Sequence, residues 1–135
     1  MLKKMIFLVL ILLSANVAIG QERIDQQKPF YINLFISADK TIFVETEKTN
    51  FKEVEAKVAH IIRNIPFKLD QRIVYRIFAD ENLKLGYIMD VNQEMLAGYD
   101  NNVQTLRYLL NTIELNIDGQ NWFKSIDMQK LKKIN

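Results

Sequence analysis

Apolar residues first recur in a regular pattern near residue 30. Ile32, Leu34 and Ile36 lie at every second position, with polar residues among their neighbours, which predicts a β-strand with one buried face. Residues 38–40 have the composition of a tight turn, and residues 41–45 are a second run rich in β-branched and aromatic residues. The two runs predict a β-hairpin.

A helical pattern follows the hairpin. Apolar residues recur at helical spacing from Phe51 to Ile65. Asn50, with Glu53 three positions later, is a variant of the capping-box pattern and predicts the start of the helix. The helix should end before Pro66, because the residue that precedes a proline disfavours the α conformation.

The next segment predicts a strand, a second helix and another strand. Residues 72–79 are rich in residues that favour β-strands, and apolar residues occur at both odd and even positions. This pattern is typical of a central strand covered on at least one face. A second helical stripe runs from Leu85 to Leu96, and Gly98 is placed to end it as a left-handed residue. Residues 103–108 fit both the helical and the strand pattern of apolar residues, and we predict a strand there.

This order predicts an α+β fold, a small two-layer domain over residues 30–110. Its hairpin, helix, strand, helix and strand would place two helices on one face of a mixed sheet. Residues 111–135 are a C-terminal extension. Its alternating apolar residues precede Asp118-Gly119, a hairpin signal, so the extension is a candidate edge hairpin with Trp122 and Phe123 packing back on the domain.

The N-terminal segment has the pattern of an export signal. Two lysines precede an uncharged apolar run, and the residues become smaller towards Gly20. The run is shorter than the roughly 20 residues that span a bilayer as a helix. We expect residues 1–20 to be a signal peptide and residues 21–29 a linker, so that the folded part works outside the cytoplasm. An uncleaved membrane anchor is the alternative.

Charge and cysteine content exclude several classes of function. Two of the 18 basic residues lie in the signal, which leaves 16 basic and 16 acidic residues in the remainder, so the basic pI does not indicate nucleic-acid binding. The chain has no cysteine, which excludes a disulfide scaffold, thiol catalysis and thiolate metal sites. We expect neither a cofactor nor a metal.

No local group of residues predicts catalysis. His60, the only histidine, lies beside the apolar stripe of the first helix and is expected to be a partly solvated helix residue. The acidic pairs Asp80 with Glu81 and Glu53 with Glu55 are typical of solvated surface. We therefore predict a protein that is not an enzyme. A pocket that gathers Asp80, Glu81 and His60 would instead favour a small secreted enzyme or inhibitor.

Several segments resemble the periplasmic domain of the ExbD/TolR biopolymer-transport family, and their order matches it. Ile36–Val44 resembles the family's opening hairpin, Phe51–Glu55 the start of its first helix, and Ile77–Val91 its strand, A-D-x-x-V-x-Y-G turn and second helix. Ala97–Tyr99 is similar to the A-G-Y that closes that helix. The likeness covers about residues 31–108.

Two residues of this likeness have structural roles that we can predict. Asp80 would cap or order the turn after the strand, and Gly86 would permit a close approach of helix and sheet. Members of the family work with a membrane protein as a proton-driven motor, through an aspartate in an N-terminal transmembrane helix. Residues 5–20 contain no acidic residue, so the resemblance implies only the soluble half of such a motor.

The sequence thus predicts a non-enzymatic periplasmic interaction module linked to energised outer-membrane transport or envelope maintenance. It would bind a partner protein, or a second copy, by adding a strand to the edge of its sheet. The candidate edge-strand residues are Ile32, Leu34, Ile36, Val103 and Thr105. The alternative is an inner-membrane subunit of a proton-driven motor, anchored by its uncleaved N-terminal segment.

Overall fold

The computed structural model of the chain describes residues 28–66, 71–99, 102–117 and 119–134. The predicted signal peptide and most of the predicted linker lie outside these ranges. None of the helices within them is long and apolar enough to cross a membrane.

A mixed sheet lies at the centre of the fold, with six strands in the described residues. They are β1 (Phe30–Ile36), β2 (Ile42–Val44), β3 (Glu47–Thr49), β4 (Ile73–Asp80), β5 (Gln104–Leu110) and β6 (Lys132–Ile134). Their spatial order is β3-β2-β1-β4-β5-β6. Strands β1, β4 and β5 are parallel, and β2, β3 and β6 are antiparallel to their neighbours. The predicted α+β class and mixed sheet are confirmed, and the structure adds β3 and β6.

Two helices, α1 (Val54–Arg63) and α2 (Leu85–Ala97), cover one face of the sheet, as predicted. Their apolar stripes pack on the inward side chains of β1 and β4, which alternate along each strand. The N-cap prediction is confirmed, because Asn50 Oδ1 accepts the backbone N–H of Glu53 at 3.2 Å, and α1 follows the 3₁₀ turn Phe51–Glu53. The helix ends three residues before Pro66.

The C-terminal extension covers part of the opposite face. Its 3₁₀ segment Gly119–Ser125 places Trp122, which is 1% exposed, against the aromatic side chains of the sheet. The ring centroids of Phe35 and Phe78 each lie 5.3 Å from that of Trp122. The predicted packing of Trp122 is confirmed; Phe123 lies edge-on to Phe78, with ring centroids 5.9 Å apart, and remains 41% exposed. The apolar core therefore includes residues beyond the predicted domain boundary at 110.

The described part of the extension differs from the predicted edge hairpin. Residues 112–116 form turns, while Asp118 lies outside the described residues. Leu115 and Ile117 pack against the cluster around Trp122, so their alternation reflects burial on the sheet face and not a strand. The edge strand of the extension is β6, which pairs with β5.

Close backbone approach occurs at Gly98 and not at Gly86. A Cβ atom on Gly98 would lie 2.9 Å from the carbonyl oxygen of Glu55 and 3.1 Å from Cβ of Val58, because the end of α2 lies against α1. The predicted left-handed conformation of Gly98 is wrong, since its φ is −70°. The predicted close approach at Gly86 is also wrong, because no described atom beyond its chain neighbours and the backbone of its own helix lies within 4 Å of its Cβ position.

These two glycines give a matched test of helix packing. We expect Gly98→Ala to lower the free energy of unfolding by about 1–2 kcal/mol, because a methyl group must displace backbone and side-chain atoms of α1. Gly86→Ala should leave it unchanged or raise it by up to ~1 kcal/mol, because alanine favours the helix. Urea unfolding of both variants measures the difference, and equal effects would contradict this packing.

Candidate functional site

The predicted edge-strand residues lie on β1 and around the start of β5. Ile32, Leu34 and Ile36 are fully buried on β1, which has β2 on one side and β4 on the other. Thr105 lies on β5, between β4 and β6, and Val103 is buried just before that strand. Strand β1 pairs with β2 at residues 34–36 and with β4 along its length, so it is a central strand. Strand β6 pairs with β5 only at residues 107–109 and does not extend to Thr105. The prediction of an edge strand is therefore wrong for Ile32, Leu34 and Ile36 on β1, and it stays a prediction for Val103 and Thr105.

The edges of the described sheet are β3 and β6. Both strands expose two adjacent charged residues, Lys132 and Lys133 on β6 and Glu47 and Lys48 on β3, so charge alone does not distinguish the two edges. Strand β3 lies beside α1, with a cleft of about 550 Å³ between the helix and the β2–β3 turn. A strand added at β3 would therefore have a second wall to contact, so this edge is the better candidate.

We call this space the β3 cleft; it is lined by residues 44–47, 53, 56, 57, 60 and 61. Val44 is buried, Ile61 is half-buried and Ala56 is exposed, so the cleft has an apolar part. Lys57 Nζ and Glu47 Oε2 form an ion pair at 2.6 Å, which joins the helix to the edge strand. The hydrogen bond from Lys57, together with the charge of its ammonium group, holds the pKa of Glu47 below its ordinary value.

Glu45 fixes the turn between β2 and β3. Its φ is 53°, a conformation that usually favours glycine. Its N–H donates to the carbonyl oxygen of Asn33 at 2.8 Å, and its carboxylate accepts the backbone N–H of Asn33 at 2.7 Å. Its carbonyl oxygen accepts the indole N–H of Trp122 at 2.7 Å. These bonds tie one wall of the β3 cleft to β1 and to the C-terminal extension.

Burial raises the pKa of the Glu45 carboxyl group. The hydrogen bonds from Asn33 and the charge of Arg76 act in the opposite direction and do not cancel the effect of burial. Arg76 itself donates from Nε to Asn33 Oδ1 at 2.7 Å, so the three side chains form one polar network on the sheet. The network stabilises the turn from the face opposite to the helices.

The residues that could have formed a catalytic pocket are not brought together. His60 is exposed on α1 and lines the β3 cleft, where its ring lies near the side chain of Asn64. Glu81 lines a different cleft, of about 280 Å³, beside β5 and the extension. Asp80 is fully buried at the end of β4. Within the described residues, no group of three or more acidic or histidine side chains could hold a metal ion.

Asp80 orders the turn after β4. Its Oδ1 accepts the N–H of Asn82 at 2.8 Å, and its Oδ2 accepts the hydroxyl of Thr112 at 2.5 Å and the N–H of Thr112 at 3.3 Å. Burial raises the pKa of Asp80, but the hydrogen bonds from Thr112 and Asn82 outweigh it and leave the pKa below its ordinary value. Asp80 therefore links β4 to the start of the extension.

A second cleft, of about 510 Å³, lies at the carboxyl end of β1, a position where open sheets often bind ligands. Two of its polar side chains, Ser37 and Asp39, are engaged in bonds of the adjacent turn. Asp39 accepts hydrogen bonds from the hydroxyl of Ser37 and, at 3.1 Å, from the N–H of Thr41, which lower the pKa of Asp39 to about 2. These bonds form the β1–β2 turn, so the β3 cleft is the stronger candidate for binding.

Sequence periodicity missed the edge strand at this site. Glu47, Lys48 and Thr49 are all polar, so they show no apolar alternation. The only local sign of a strand is the run of β-branched and aromatic residues in β2, which is followed by the two-residue turn at Glu45 and Thr46. A three-residue strand that is polar throughout becomes visible only through its pairing with β2.

Comparison of the chain with protein-family models and with curated proteins gives no match. The function is therefore inferred from the geometry of the fold and the chemistry of the β3 cleft. The resemblance to the ExbD/TolR family remains a prediction from sequence.

Proposed function

We propose that this protein is a non-enzymatic, exported interaction module that binds an extended segment of a partner protein by strand addition at β3. Its place of action would be the periplasm, as an ExbD/TolR-like domain that serves energised transport or envelope maintenance. The observation that carries the proposal is an edge strand beside a helix, with a cleft between them. Extended peptides bind other domains in this manner, with backbone hydrogen bonds to the edge strand and side chains in pockets.

The ladder between β2 and β3 indicates which backbone groups are free. Val44 pairs with Glu47 across a two-residue turn, and Phe43 pairs with Lys48. The residues that flank such a turn form the hydrogen-bonded pair, so the next pair does not share hydrogen bonds. The N–H and C=O of Lys48 are therefore directed away from β2, where an added strand would pair with them.

Strand addition can be tested by removing this donor. We expect Lys48→Pro to weaken binding of an extended peptide by at least about tenfold, because proline has no N–H. Lys48→Ala keeps the N–H and should bind within about twofold of the parent chain. The probe is a blocked peptide that alternates valine with glutamine, titrated calorimetrically into the exported chain and its two variants.

Thermal unfolding of both variants provides the control for folding. Lys48→Pro should unfold cooperatively near the temperature of Lys48→Ala, because an edge position tolerates proline when its N–H faces solvent. Equal affinities of the two variants for the peptide would contradict strand addition at β3. Failure of the parent chain to bind any such alternating peptide would contradict the proposed function itself.

A further inference from the structure

The charges that line the β3 cleft are unbalanced. Among its described lining residues, Glu47 and Glu53 contribute two carboxylates on the helix side, whereas Lys57 contributes a single ammonium group. Lys57 is engaged with Glu47 at 2.6 Å, and the carboxylate of Glu45, a further lining residue, is bonded to Asn33 on the opposite face of the sheet. Glu53 is exposed, and its carboxylate makes a 3.4 Å contact with the hydroxyl of Thr49. The rim of the cleft therefore has a net negative charge and an accessible carboxylate.

The apolar part of the cleft lies between these charges. Ala56 and Ile61 are on the same side of α1 as Lys57, and Val44 lies below them on β2. A lysine or arginine side chain has an apolar stem and a charged head, so it can place the stem on such a surface and the head at a carboxylate. A glutamate side chain would meet like charge at the same position.

The register of β3 places this chemistry on one face of an added strand. Glu47 pairs with Val44 and Thr49 pairs with Ile42, so both lie on the helix-covered face of the sheet. Lys48 pairs with Phe43 and lies on the opposite face. Residues of an added strand alternate in the same way, so every second side chain would enter the cleft beside Glu47.

We propose, building on the function above, that the β3 cleft receives a lysine or arginine side chain of the added strand. The partner is then an extended segment with a basic residue on the helix-facing side and apolar residues next to it. Opposite charges on neighbouring strands stabilise pairing and like charges oppose it, so the cleft selects the segment by charge.

Three blocked peptides test this selection: each alternates valine with lysine, glutamine or glutamate. We expect the lysine peptide to bind about tenfold more tightly than the glutamine peptide, and the glutamate peptide to bind more weakly than both. Glu53→Lys should remove the preference for lysine. Glu55→Lys is the matched control, because it makes the same charge change on the exposed side of α1, outside the cleft.

The outcomes separate this inference from the proposed function. Binding of the glutamine peptide without a gain for lysine would overturn the charge selection and leave strand addition intact. An equal loss of preference in Glu53→Lys and Glu55→Lys would also overturn it, because the effect would then follow net charge and not the cleft. Absence of binding by all three peptides would contradict strand addition itself.

Discussion

Trp122→Ala is expected to lower the free energy of unfolding by about 3–5 kcal/mol, the range found for large aromatic side chains removed from cores. Trp122 is 1% exposed and packs on Phe35 and Phe78 across the sheet face that the helices leave uncovered. Its indole N–H also bonds to the carbonyl oxygen of Glu45. Small domains have about 5–15 kcal/mol of stability in total, so this loss is a large part of it.

Two variants separate the contributions of Trp122. Phe123→Ala removes a neighbouring aromatic ring that is 41% exposed, and we expect a loss of less than about 1.5 kcal/mol. Trp122→Phe keeps an aromatic ring and removes the hydrogen bond, so it should lie between the parent chain and Trp122→Ala. Denaturant unfolding measures all three. A Trp122→Ala chain as stable as Phe123→Ala would show that the extension does not complete the core.

Asp80→Ala is expected to have the second large effect, a decrease of about 2–4 kcal/mol in the free energy of unfolding. The substitution leaves the hydroxyl and N–H of Thr112 and the N–H of Asn82 without their acceptor at a fully buried position. Thr112→Val is the matched control, because it removes one donor and keeps the carboxylate and both N–H donors. We expect it to lose about 1 kcal/mol in the same unfolding experiment.

The pKa of Asp80 gives this prediction a dependence on pH. The folded-state pKa lies below the ordinary value, so the carboxylate stabilises the fold above the unfolded-state pKa of about 4. That contribution is lost as the pH falls from about 4 towards the folded-state pKa. The difference in stability between the parent chain and Asp80→Asn should therefore be large at pH 7 and shrink on acidification below pH 4. A difference independent of pH would contradict the role of the ionised carboxylate.

The sequence predicts the helix-covered half of this fold well, because its signals are local and periodic. Helices α1 and α2 carry apolar stripes, Asn50 caps the first turn, and the apolar residues of β4 point to both faces of the sheet. Gly98 shows the limit of such signals. A glycine at the end of a helix is explained equally well by a left-handed cap and by a close approach to another helix. Only the packing of α2 on α1 distinguishes the two.

The edges of the sheet could not be predicted because they depend on strand order, which is a long-range property. Apolar alternation in β1 indicates burial, and the most strongly alternating strands are central and not at the edge. The true edges, β3 and β6, are short and carry charged residues, so they have little periodic signal. The contact between Trp122 and Glu45 spans 77 positions, and no local pattern at either residue indicates it.

Amide hydrogen exchange of Lys48, read by NMR with and without the valine–lysine peptide, tests strand addition at β3 most directly. We expect the Lys48 N–H to exchange at least about tenfold more slowly in the complex, because it would become a backbone donor between strands. The N–H groups of Lys132 and Lys133 on β6 should be unaffected. Protection confined to β6, or binding without protection of Lys48, would contradict the proposal.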